Sequence, residues 1–138
     1  MFISLTQKAN IMTITELNPK GNFDSWNAAK LKEVQKGKFS DAVGEALFEN
    51  DEIILWEIAL KPSERLPFRR HRNNYGCTCF TDVLILLRNV NGKVTLMRMN
   101  KGEHYYVECN EKEIIQDLEN IGEHSIKIAV VEEKVNTI

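Results

Sequence analysis

From Asp41 onward the apolar residues come in short alternating runs cut by turn residues, a rhythm that points to an all-β sandwich or barrel. Ile54, Trp56, Ile58 and Leu60 show it most clearly, because residues two apart along a strand share a face. The runs predict strands at Gly44 to Phe48, Ile53 to Leu60, Tyr75 to Phe80, Val83 to Arg88, Val94 to Met99, His104 to Cys109 and Ser125 to Glu132. Turn residues separate them, including Lys61-Pro-Ser63, Asn100-Lys-Gly102 and Asn120-Ile-Gly122. Asn91-Gly92 between two apolar runs predicts a hairpin with a type I′ turn. Glu113 to Leu118 fits a short helix or a strand equally well.

Ahead of the strands, Ser25 to Gln35 reads as one short helix after an Asp24/Ser25 cap, with Gly37 as its stop. The chain therefore divides into an N-terminal extension, residues 1–40, whose helix packs on the barrel, and a β-barrel over residues 41–138. With 138 residues it buries roughly two-thirds of its unfolded surface in one core and needs no disulfide or metal to fold. Residues 1–11 read as a loosely attached extension or a mis-chosen start, since Met12 opens a self-sufficient Thr-Ile-Thr-Glu-Leu segment. They have no signal-peptide pattern, so a cytoplasmic location is expected. The odd set Cys77, Cys79 and Cys109 agrees, reading as free buried thiols in a reducing compartment. Eighteen Lys and Arg against 20 Asp and Glu, a net charge of −2, speak against a nucleic-acid partner. No apolar run approaches the ~20 residues that span a bilayer, so no membrane partner is expected either.

The stretch richest in chemistry is Lys61 to Arg72, with five Lys and Arg against one Glu. It reads either as a solvated basic loop facing the acidic stretch Glu111 to Glu123 or as an anion site with Arg69 turned inward. If the chain runs extended from Arg69, then Arg69, His71, Tyr75, Cys77 and Cys79 all project into the interior, unless a bulge at Gly76 reverses the parity of the thiols. His71 and Tyr75 would then offer a base and a weak acid to one ligand. Cys77-Thr-Cys79 lacks the second cysteine pair of a structural zinc site. His71, His104 and His124 form no local ligand motif, and neither a Gly-x-Ser-x-Gly elbow nor a Gly-rich phosphate loop is present.

Taken in order, Ile54 to His71, Tyr75, Asn91-Gly92, Lys101-Gly-Glu103, Asp117-Leu-Glu-Asn-Ile-Gly122 and Val130-Val-Glu-Glu133 resemble the small single-domain cupins. The likeness covers Asp51 to Glu133 and is nearest to a short bacterial branch with an Asp-Leu-Glu-Asn-x-Gly second motif. It implies a mainly β, jelly-roll-like double-stranded β-helix, often a homodimer. It also implies where a metal would sit: members place three histidines and a carboxylate at positions occupied here by Arg69, His71, Tyr75 and Gln116. A guanidinium has no lone pair to donate, so no metal and no cofactor are expected, a divalent metal at rearranged ligands being the alternative.

Three functions follow as expectations. The first is a metal-free pocket binding a small anionic molecule through Arg69, His71, Tyr75, Gln116, Cys77 and Cys79, with Trp56 or Phe68 as apolar wall. The second is an enzyme: a metal-free isomerase or epimerase with His71 as base and Tyr75 as acid, or an oxygenase with a metal near Cys77 and Cys79. The third is a dimeric structural barrel with a filled interior and an exposed apolar face that includes Trp26.

Overall fold

The computed structural model describes residues 12–18, 21–23, 26–110 and 112–134. Residues 1–11 lie outside that set. The elements are β1 (Thr13–Glu16), α1 (Ala28–Lys36), β2 (Glu45–Glu49), β3 (Ile53–Leu60), β4 (Arg65–His71), β5 (Tyr75–Cys79), β6 (Val83–Arg88), β7 (Val94–Met99), β8 (His104–Val107), β9 (Ile114–Asn120) and β10 (Ile126–Glu133). They form two five-stranded antiparallel sheets, ordered β1-β7-β6-β9-β4 and β2-β3-β10-β5-β8, whose inner faces enclose the core of a jelly roll.

The core follows from strand parity. Ile58 and Leu60 on β3, Ile126, Ile128 and Val130 on β10, Cys77 and Cys79 on β5, and Val83, Ile85 and Leu87 on β6 alternate inward with partly buried or exposed neighbours. The Gly76 bulge does not occur, because β5 pairs with β10 in unbroken register from Tyr75 to Cys79.

Three elements depart from expectation. The segment Thr13–Glu16 adds an edge strand on β7, so the extension contributes to the sheet itself. The helix starts at Ala28 instead of Ser25, since the Asn27 side chain accepts from the Lys30 amide and caps it; Gly37 ends it in the left-handed conformation. The hairpin after β6 is not type I′: only Gly92 of the pair has positive φ, and Asn89 closes the loop by donating to the Lys93 carbonyl at 2.8 Å. Gly92 is required there for a second reason, as a side chain on it would strike the Gly21 carbonyl.

The strand that carries the candidate site is irregular in a useful way. Leu66 pairs with Leu118 and Arg69 with Gln116, so Pro67 and Phe68 together face the single residue Asp117. This bulge turns Leu66 and Arg69, three residues apart, onto the inner face. Pro67 is well placed in it, having no amide to offer the ladder. Phe68 points outward under Trp26, with ring centroids 5.6 Å apart, and Phe39 adds an edge contact. Trp26 is therefore buried, which corrects its assignment to an exposed apolar face.

Beneath α1 runs a charge network. Asp117 is 0% exposed and accepts from Arg65 Nε at 2.6 Å, from Arg88 Nη1 at 2.8 Å and from the Arg88 amide at 2.7 Å. Arg65 also grips Glu33 of α1 with both terminal nitrogens, and this hydrogen bonding holds the Glu33 carboxyl below its usual range. The helix is thus tied to the outer side of β4 by charge and by the Trp26–Phe68 stack. Arg72 pairs with Glu113, so the basic stretch is a solvated face in part.

Candidate functional site

Strands from both sheets bring Arg69, His71, Tyr75, Cys77 and Gln116 around one internal void, with Tyr105 of β8 as a sixth polar member. Arg69, His71 and Gln116 come from one sheet, and Tyr75, Cys77 and Tyr105 from the other. Gln116 lies on a strand and pairs with Arg69, while Ile114 pairs with His71. Cys79 does not line the void; its Sγ rests 3.6 Å from Met99 Sδ in the core. Trp56 is also absent from the lining, its indole donating to Glu132, and Phe68 faces away.

The void is small. Its volume is about 20 Å³, enough for roughly one water-sized occupant. His71 stacks on Tyr75, centroids 4.8 Å apart, across the tight Arg72 to Asn74 turn. Burial, with the Arg69 charge acting in the same direction, lowers His71 to about 4, so the imidazole is neutral at pH 7. Its Nε2 is buried without a partner. Burial pushes the Tyr75 hydroxyl up, and the Gln116 side chain acts on it in the opposite, lesser sense. Burial also pushes the Cys77 thiol up to about 11, with the neighbouring Tyr105 hydroxyl opposing the shift. Every neighbour of Arg69 in the void is therefore uncharged at neutral pH.

Arg69 itself is only 4% exposed. Burial lowers its guanidinium to about 10, which leaves it charged. Nη1 donates to the Val43 carbonyl at 3.1 Å, Nε has no partner, and no carboxylate among the described residues lies within ion-pair distance of it. Asp117, the carboxylate whose charge acts on it, is already claimed by Arg65 and Arg88. Sequence parity identifies Arg69, His71, Tyr75 and Cys77, but not the Val43 contact, which comes from a loop through a backbone atom.

The metal that the resemblance implies does not fit this donor set. The guanidinium cannot ligate, and of the other three residues at the implied positions only His71 is a strong metal ligand. Among the described residues no group of three or more His, Cys, Asp or Glu side chains is arranged to hold a metal ion. None of their helices is long and apolar enough to cross a membrane.

No family model and no curated protein sequence matches the chain. Solved structures do. The fold is similar to a cupin domain from Bordetella pertussis Tohama I, at 19% identity and a TM-score of 0.59 over 71% of this chain and 98% of that one. It is also similar to an RmlC-like cupin family protein with a double-stranded β-helix fold from Methanocaldococcus jannaschii, at 17% identity and a TM-score of 0.50 over 66% of this chain and 78% of that one. With two antiparallel sheets closing on one core, the chain has the cupin fold, a small double-stranded β-helix.

Proposed function

We propose that the protein is a non-catalytic barrel that binds a small anion on Arg69. One observation carries this reading: a guanidinium buried in the barrel with no anionic partner and one donor free. Removing a charge from water costs several kcal/mol unless it is paired, so a fold that keeps such a cation gains most from an anion brought in from solution. The uncharged polar side chains around it, Gln116, Tyr105 and His71, suit an anion whose charged group is small enough for the space beside it.

The isomerase reading has less in its favour. A sugar between His71 and Tyr75 would need room that the stacked rings and a void of about 20 Å³ do not give. A wholly filled structural barrel leaves the unpartnered nitrogens of Arg69 and His71 without a reason.

Thermal unfolding of the full chain, in buffers carrying one anion at a time (formate, chloride, nitrate or phosphate), tests the proposal. At least one should raise Tm in proportion to the logarithm of its concentration, as binding to the native state requires, and Arg69→Met should lose the effect. Equal responses from the wild type and the variant would overturn it.

A further inference from the structure

A second space lies on the other side of the same arginine. At the seam between the sheets, where β3 of one meets β4 of the other, Ser40 to Glu45 cross over and leave a groove of about 330 Å³. This is at the lower end of the ~300–1,000 Å³ typical of small-molecule sites. Its walls are mainly apolar, from Val43, Ile58, Leu66, Pro67 and Phe68. Arg69, Val43 and Ile58 border both the groove and the internal void. The buried arginine thus stands where outside meets inside.

We propose that this groove binds a monocarboxylate with an apolar body, its carboxylate on Arg69 and its hydrocarbon along Val43, Ile58, Leu66 and Phe68. The inference rests on the reading of Arg69 as an anion site and adds the class of ligand. The internal void has room only for the head group, whereas the groove has room for a chain or a ring. Apolar walls favour a hydrocarbon there. Glu45 and Glu57, paired across β2 and β3, also border the groove, and although Lys127 lies 4.0 Å from the Glu57 carboxylate, Glu45 leaves the rim negative, so a second negative charge on the ligand is repelled. Phosphates and dicarboxylates are disfavoured accordingly.

The test is calorimetric titration of the full chain with formate, butyrate, hexanoate, succinate and hexan-1-ol. Affinity should rise about two- to fourfold per added methylene while the chain stays in the groove, making hexanoate at least about tenfold tighter than formate. Hexan-1-ol and succinate should bind far more weakly than hexanoate. Ala42 is exposed on the groove wall, so Ala42→Trp should fill the space, removing the advantage of hexanoate and sparing formate. Formate and hexanoate binding equally well would overturn the groove and leave the anion site standing. Hexan-1-ol binding as tightly as hexanoate would show that Arg69 plays no part in the groove and would also overturn the inference. If none of the anions binds, the anion site and the groove fall together.

Discussion

His71 stacks on Tyr75 at 4.8 Å, with planes inclined by 29°, in a part of the barrel where its imidazole is held neutral. Burial lowers it from 6.5 to about 4, so between those values the unfolded chain binds a proton that the native barrel refuses. Stability from this residue is fully present above about 6.5 and is lost as pH falls toward 4, a change on the order of 3 kcal/mol. Urea denaturation from pH 7.5 to 4.5 should show that decline, and His71→Phe, which keeps a ring on Tyr75, should flatten it. A saturating anion on Arg69 cancels the charge that helps to depress His71, so it should raise the imidazole and blunt the acid loss. An NMR titration of His71 with and without formate reads this directly.

Asp117 joins two arginines from different strands beneath the helix, and its removal leaves Arg65 with Glu33 and Arg88 with Glu119 as their remaining partners. Breaking a buried pair from one side typically costs about 3–5 kcal/mol, and because Glu33 and Glu119 still compensate the two arginines, Asp117→Ala should fall at or just below the lower end of that range by chemical denaturation. Asp117→Asn keeps the shape and one acceptor and should cost less. A loss below ~1 kcal/mol for Asp117→Ala would mean that the network is not holding β4, β6 and β9 together.

Gly44 allows the Ser40 to Glu45 segment to lie against β3, where a side chain at this position would collide with the Glu57 carbonyl. The obstacle is backbone and cannot swing away. Gly44→Ala should cost about 1–3 kcal/mol, as overpacking generally does, and should lift Val43 from its place beside Arg69. Faster hydrogen exchange confined to residues 40–45 and their contacts on β3 and β4 would locate the damage, and wild-type protection there would contradict it.

How much of this is legible in the sequence depends on what each strand does. The runs at Ile53–Leu60, Val83–Arg88 and Val94–Met99 are read to the residue because each is an apolar run bounded by turn residues, although β7 buries Val94, Met97 and Met99 and so breaks strict alternation. The β9 strand is not, because it buries Asp117 and Asn120 for the sake of partners on other strands. The β4 strand hides its period in the Pro67-Phe68 bulge. Thr13–Glu16 is exposed at every position and therefore has no buried face to betray it. In the site, strand parity locates Arg69, His71, Tyr75 and Cys77; Tyr105 sits on a short strand with no buried residue to mark its inner face. The groove is written in no motif, since it arises where a loop crosses a seam.

Arg69 yields the most discriminating variant because its charge and its shape pull stability in opposite directions. As a buried cation without a counter-charge it should destabilise the ligand-free barrel, and Arg69→Met removes that charge while retaining most of the volume. The variant gives up one hydrogen bond to Val43, worth about 1 kcal/mol. The net expectation in dialysed, anion-poor buffer is a gain of about 1–2 kcal/mol in unfolding free energy. In saturating formate the order should reverse, because only the wild type is stabilised by binding. The crossing of the two stability curves with anion concentration is the measurement, and a variant less stable than wild type at every concentration would identify Arg69 as a structural residue and not a binding one.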